Sequence, residues 1–402
     1  MIRTLLKLFF LITLFQNLFN DFGFIVNYYD EFICVFLLFY GIIKNRISRS
    51  FTILIFTFIF INLINAYNSK LPFDPYRFIL DVFLFLKPVI FLMILSQIPT
   101  KLFREVFNFS FFISKSYLIA AFLFLPVHYF FGFFEFFDTR FGLNAYQFIS
   151  NNAGEFTNLL LVTILISTSS GSSKQKMFFN IIGLILLMST LRYKAFVLAF
   201  ILFIFLNKKI LSSIYYFFKR KIERRKFFTL INSLKILPLI LFFSIPGYVQ
   251  FSNYFLSEDV TPRLLLVLEG INIFLNNFPF GIGPGYFGSA TSSLMYSPIY
   301  SELGWTNHWG LGENPEQNFL NDTFWSMIIA QYGFLGLILV LIIYRKFFYT
   351  FFSIRSIDNF KYSLLTIFSL IISTIGSSIF IGPLGIFYIM SKYSIENSNE
   401  EP

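Results

Sequence analysis

Apolar residues run along this chain in long unbroken blocks, separated by short polar or charged clusters. The blocks fall near 4–20, 28–43, 51–66, 78–98, 107–131, 155–169, 177–190, 195–206, 227–246 and 322–344. Several reach the ~20 residues that cross a bilayer as a helix. In lipid every backbone polar group needs an internal partner, which leaves helices or a closed barrel, and blocks without alternation select helices. A last apolar stretch, 362–391, reads as two short helices turned at Gly382-Pro383. The first block lacks a small-residue cleavage site and others follow it, so it reads as a retained helix rather than a signal peptide. The pattern predicts an all-α, polytopic integral membrane protein. It has about twelve transmembrane helices in a single membrane domain over 1–402, one large loop at 247–320 and a basic loop at 207–226.

The large loop departs from the apolar pattern most strongly. Thr261 is a suitable N-cap and Pro262 suits the first helical position, where its missing N–H would have no partner anyway. Arg263 then sits in the first turn of a helix that ends at Asn276-Asn277-Phe278-Pro279. Gly281-Ile282-Gly283-Pro284-Gly285 follows, a turn whose glycines supply positive φ or let another group approach the backbone. Asn321, Asp322 or Thr323 caps the next long apolar helix. A polar, glycine-rich insert between membrane helices is where a membrane enzyme keeps its chemistry.

Composition agrees with the pattern: 56% of residues are hydrophobic, 13% charged, and the mean hydropathy is +0.70. A soluble chain of 402 residues needs far more charge to cover its surface. The single cysteine, Cys34, excludes an intrachain disulfide, and with only His128 and His308 besides, no metal site is expected. The formal charge of +10 suggests nucleic acid until its distribution is examined. With the N-terminus in the cytoplasm, loops on that side carry 21 Lys and Arg and the opposite side carries 6. The basic run at 219–226 is then a topology anchor on anionic lipid, no nucleic-acid partner is needed, and the loop 247–320 is extracytoplasmic.

Cations on the outer side are therefore the informative ones. Arg192 and Lys194 lie in a turn between two short spans, Arg263 heads the loop helix, and Arg140 precedes the sixth span. Converging, they form a site for an anionic headgroup; the bland reading of each is a salt bridge or lipid contact at the interface. Within the spans, Lys87 and Asp81 are expected to pair with each other or to snorkel. The loop's carboxylates, Glu313 and Asp322 among them, and His308 in Thr306-Asn307-His308-Trp309 are candidate general bases towards a sugar hydroxyl. Trp305 and Trp309 read as a membrane-interface belt or as a sugar-stacking platform.

Four stretches resemble the bacterial O-antigen polymerase and O-antigen ligase family of polysaccharide-assembly membrane proteins. Arg263…Glu269-Gly270…Asn277-Phe278-Pro279-Phe280-Gly281-Ile282-Gly283-Pro284-Gly285 is similar to the family's loop helix and glycine turn. Asn321-Asp322-Thr323-Phe324-Trp325 with Gln331-Tyr332-Gly333-Phe334-Leu335-Gly336-Leu337 resembles its loop exit and the helix that follows. Ser189-Thr190-Leu191-Arg192-Tyr193-Lys194-Ala195 resembles its arginine-bearing turn, and Arg140-Phe141-Gly142 with Asn151-Asn152 its loop before the sixth span. One departure is notable. Ligases of the family carry a His-Asn pair where this chain has Asn321-Asp322, which favours polymerase over ligase.

The resemblance implies a metal- and cofactor-independent membrane glycosyltransferase of the bacterial inner membrane. Its substrates are polyprenyl-diphosphate-linked oligosaccharides, and its surroundings are membrane lipids, a flippase and a chain-length regulator. Arg192 and Arg263 would stabilise the leaving diphosphate, and Asp322, Glu313 or His308 would take the acceptor's proton. Arg140, Lys194, Gly281, Gly283, Gly285, Asn318 and Asn321 would bind substrate. The rivals are a ligase that transfers glycan to a lipid core and, from another class, a polysaccharide flippase or transporter. Internal repeats of the kind many transporters show are not seen.

Overall fold

A computed structural model describes residues 2–22, 28–44, 47, 49–132, 139–140, 142–206, 261–314, 319–351, 357–375 and 381–398, with 212, 215, 216 and 252. The span expected at 227–246, nearly all of the basic loop 207–226 and residues 253–260 of the large loop lie outside the described residues. The chain is mostly helical. In order come α1 (Ile2–Phe15) with a 3-10 turn (Gln16–Phe22), α2 (Tyr29–Ile43), α3 (Arg49–Asn68), α4 (Pro75–Leu95), α5 (Thr100–Phe131), α6 (Ala153–Ser169), α7 (Ser173–Ser189) and α8 (Tyr193–Leu206). Then follow α9 (Pro262–Asn276), the short α10 (Ala290–Leu294) and α11 (Pro298–Glu302), α12 (Phe324–Phe351), α13 (Ile357–Ile375) and α14 (Pro383–Ser398). A minimal antiparallel ribbon pairs β1 (Thr139–Arg140) with β2 (Leu143–Asn144).

Local chemistry sets the helix ends. Asp74 caps α4 by accepting from the amides of Tyr76 and Arg77 at 2.9 and 3.2 Å, with Pro75 in the first position. Thr261 caps α9 by accepting from the Leu264 amide at 3.3 Å, with Pro262 next, and the helix stops at Asn276 as the sequence predicts. Ser172 and Gln175 form a reciprocal capping box on α7. Gly132, at φ 61°, terminates α5 in the left-handed conformation. The chain turns at Ile381-Gly382 before Pro383 opens α14, so the C-terminal stretch is two helices.

Among the described residues, five helical segments are long and apolar enough to cross a membrane: Ile2–Phe19, Arg49–Asn68, Pro75–Leu95, Leu102–Phe131 and Phe324–Lys346. Shorter apolar helices, Ala153–Ser169, Tyr193–Ile204 and Ser363–Thr374, pack with them. α6 is buried on every face from Phe156 to Ser169, and so is α4 from Phe85 to Leu95. A helix apolar all round belongs in the centre of a bundle, where neighbours replace water on each side. The outer helices expose apolar groups instead: Ile53, Phe56 and Phe60 of α3 are each more than half exposed, as are Phe112 and Leu123 of α5. A surface apolar over such lengths suits lipid and not water.

Up-and-down threading sorts the helix ends into two groups, and the contacts between remote segments respect that sorting. At one end Arg3 pairs with Glu105, and Lys346 donates to Ser50 Oγ at 2.6 Å. At the other, Asn17 donates to the Ile149 carbonyl at 2.7 Å and the Tyr146 amide to the Ser189 carbonyl at 3.0 Å. The described part of the large loop is at that second end. Arg77, at the head of α4, holds it by donating to the carbonyl of Met295 at 2.8 Å and lies over the Tyr286 ring.

The glycine turn docks on a break in α12. At Gly333 the backbone leaves the helical region (φ 63°, ψ −163°), which frees the carbonyls of the preceding turn. Each finds an outside donor. The Ile282 amide bonds the Ala330 carbonyl at 2.9 Å, the Gly283 amide the Gln331 carbonyl at 3.1 Å, and Asn65 Nδ2 the Tyr332 carbonyl at 2.8 Å. In return the Phe334 amide donates to the Pro279 carbonyl at 2.9 Å, and the Gln331 side chain accepts from the Gly285 amide at 3.0 Å. Backbones approach so closely that a Cβ on Gly281 would stand 2.2 Å from the Gln331 carbonyl oxygen, and one on Gly333 would stand 2.4 Å from the Phe280 carbonyl carbon.

The expected Lys87–Asp81 pair does not form. Lys87 instead bridges Asp30 and Glu31 of α2, all three lying between α2 and α4. Asp81, deep in α4, accepts from the Tyr332 hydroxyl at 3.1 Å and faces Ser289, Thr291 and the Gly285 amide. The reason is direction: residues six apart on a helix point to different sides, so each charge took the partner its own face offered.

Gly281→Ala should therefore lower stability by about 1–3 kcal/mol through overpacking, read as a drop in the thermal midpoint of the detergent-purified protein. Lys87→Met, which leaves two buried carboxylates without their cation, should cost about 3–5 kcal/mol in the same assay, and adding Asp30→Asn with Glu31→Gln should recover much of it.

Candidate functional site

The turn between α7 and α8 is shaped by a residue with unusual backbone. Leu191 adopts φ 53°, and its side chain is buried in a small cluster with Ala145 and Ala153. A non-glycine residue in that region carries strain that its surroundings must hold in place. The sharp turn sets Arg192 immediately ahead of α8, where its carbonyl accepts from the amides of Ala195 and Phe196. Lys194 follows in the first turn, with Nζ 3.4 Å from Asn158 Oδ1 of α6. Ser373 of α13 donates to the same oxygen at 3.1 Å, which fixes the Asn158 side chain.

Remote cations meet here. The charges of both Arg192 and Arg263 repel the Lys194 ammonium, and the Glu155 carboxylate attracts it. Arg140, from the β1–β2 ribbon, places its guanidinium carbon 5.9 Å from the Tyr193 ring centre. Arg263, heading α9, donates to Asp322 Oδ2 at 2.7 Å, and both side chains are about three-quarters buried. Among the described residues, four cations from three separate stretches thus gather at one end of the bundle near Glu155 and Asp322. Guanidinium and ammonium groups gathered in a partly dehydrated setting suit an anionic group, and arginine forks match phosphate oxygens.

Asp322 is the candidate base in contact with this cluster. Burial pushes its carboxyl above the usual carboxylate range, and the Arg263 guanidinium beside it offsets part of that rise. His308 and Glu313 are both exposed on the segment leading to the loop exit, and His308 Nδ1 lies 3.0 Å from the carbonyl of Trp309. Neither makes a described contact with the four cations. Asn321 is exposed beside Asp322, and Asn318 lies outside the described residues.

The glycines differ from the substrate-binding expectation. Gly281, Gly283 and Gly285 are buried against α12, Ala66 of α3 and Arg77 of α4, and the amides of Gly283 and Gly285 are taken by Gln331. They join loop to helix by close backbone approach. The two tryptophans divide: Trp305 is 5% exposed and stacked on Tyr300, whereas Trp309 is 74% exposed.

Sequence reasoning missed Glu155, Asn158 and Tyr193 as members of the cluster. Glu155 follows the Asn152 cap in the first turn of α6, where a carboxylate is accounted for by the helix dipole alone. Asn158, a polar residue inside an apolar helix, was the one available signal. No protein-family model matches the chain, and no curated protein matches its sequence.

Proposed function

We propose that the chain is a polysaccharide polymerase of the O-antigen or capsule type, a metal-independent membrane glycosyltransferase. It lies in the bacterial inner membrane with about twelve spans, the N-terminus cytoplasmic and the large loop outside. The observation that carries this reading is the meeting of Arg192, Lys194 and Arg263, remote in sequence, at one end of the helix bundle, with Arg140 beside them. The family likeness of the Arg263 helix, the glycine turn and the Arg192 turn supports it independently.

In this reading the diphosphate of a polyprenyl-linked oligosaccharide lies against Arg192, Arg263 and Lys194, with Arg140 at the margin. The terminal hydroxyl of a second lipid-linked unit attacks the anomeric carbon. A new glycosidic C–O bond forms, the bond to the diphosphate oxygen breaks, and the electron pair leaves with the lipid diphosphate. Preorganised guanidinium groups stabilise the charge growing on that oxygen. Asp322 accepts the hydroxyl proton, and its neutralisation loosens the ion pair and leaves Arg263 to the diphosphate. Holding both substrates in one membrane supplies much of the rate through proximity.

Two measurements test this. Folded Arg192→Ala and Arg263→Ala variants should each lose about 100-fold or more in polymer formation, seen as collapse of the glycan length ladder on a gel, with Arg263→Lys recovering only part. If both alanine variants kept full-length polymer, the diphosphate role would be abandoned. For Asp322 as base the carboxylate must be ionised. Its raised pKa places the acid limb of the rate profile above that of an ordinary carboxylate, activity falling as pH drops through it. Asp322→Asn should abolish that limb along with most of the rate in a proteoliposome assay across pH.

A further inference from the structure

Trp309 has no place in the diphosphate chemistry, yet it is a large apolar side chain left 74% exposed. Its ring meets Phe319 edge-on, with centroids 5.6 Å apart at 61°, so the indole is held while most of its surface stays exposed. The loop is pinned beneath it. The Phe319 amide donates to the Gly310 carbonyl at 2.7 Å, and the Asp322 amide to the Phe319 carbonyl at 3.0 Å. Gly310 has φ 75°, and a Cβ there would stand 2.8 Å from the Phe319 ring and 2.9 Å from Pro262 Cγ. The platform is thereby fixed to the head of α9, next to the residue that precedes Arg263, and to the segment that carries Asp322.

Its surroundings are polar. Asn307, His308, Glu313 and Asn321 are all exposed on the same loop. An exposed aromatic ring on a loop that also exposes amide, imidazole and carboxylate groups matches a pyranose ring. The ring's C–H face is apolar, and its equatorial hydroxyls point outward to donors and acceptors. Tryptophan gives that contact at low entropy cost, having two rotatable bonds.

We propose that the exposed ring of Trp309 is a glycan subsite that stacks a sugar of the acceptor chain and presents its end to the cationic cluster. This rests on the polymerase reading for the word acceptor, but not for the binding of neutral sugar. The full chain in lipid nanodiscs is titrated against a panel of bacterial surface oligosaccharides carrying neither lipid nor phosphate, for wild type, Trp309→Ala, Trp309→Phe and, as control, Trp325→Phe. Wild type is expected to bind at least one member. Binding should weaken roughly tenfold in Trp309→Ala, less in Trp309→Phe, and stay unchanged in Trp325→Phe. Because Trp309 is exposed, its replacement leaves the fold intact, which a thermal midpoint checks. Equal binding by wild type and Trp309→Ala, no wild-type binding across the panel, or quenching of the Trp309 fluorescence component by brominated lipid would each overturn the proposal. The probes lack diphosphate, so this result stands apart from the fate of the Arg192 and Arg263 variants in polymer assays.

Discussion

A helix that breaks inside an apolar layer leaves carbonyls with no water to turn to, and each must be given a donor by the protein. α12 breaks at Gly333, and the carbonyls of Ala330, Gln331 and Tyr332 are met by the amides of Ile282 and Gly283 and by Asn65. The loop's glycine turn is therefore the missing half of a membrane helix. Through it the loop is fixed to α3, α4 and α12 together, and α9, which carries Arg263, packs along α12. Loosening this joint would move Arg263 relative to the Arg192 turn beside it. The position of the site depends on backbone hydrogen bonds several residues away from any charge.

The charges themselves set a second constraint. Two like charges about 4 Å apart repel by roughly 4 kcal/mol at an effective dielectric of ~20, so gathering cations is unfavourable without counter-charge. Asp322 supplies it to Arg263 at 2.7 Å, and Glu155 supplies it near Lys194. Both carboxylates are partly buried. Protonation of Asp322 would weaken its ion pair with Arg263.

Charges elsewhere in the bundle are of a different kind. Lys87 with Asp30 and Glu31 of the neighbouring helix, and Arg77 with Asp74 and the loop carbonyls of Gly285 and Met295, are sets in which the cation is held by nearby groups. They hold α2 to α4 and the loop to α4. The contrast is between ion pairs that join neighbouring helices and a group of cations drawn together from remote stretches. Trp305 and Trp309 show a parallel contrast among aromatics: one is used up in stacking on Tyr300, the other stays largely exposed.

The sequence by itself determined what depends on neighbours along the chain. Helices, caps and breaks are local, so Thr261-Pro262 at the head of α9, its end at Asn276 and the two C-terminal helices were legible before any coordinates. The scarcity of charge over long apolar blocks likewise settled the all-helical, lipid-compatible character. Tertiary structure alone decided which side chains face one another. Nothing local distinguishes Lys87 meeting Asp30 from Lys87 meeting Asp81, or a glycine that binds substrate from one that admits another backbone. Likewise the strain at Leu191 that aims Arg192, and the inclusion of Glu155 and Asn158 in the cluster, arise only when α6, α7, α8 and α9 are packed together. The physical reason is range: helix propensity and hydropathy act within a few residues, whereas pairing in a bundle is fixed by which helix faces are brought together.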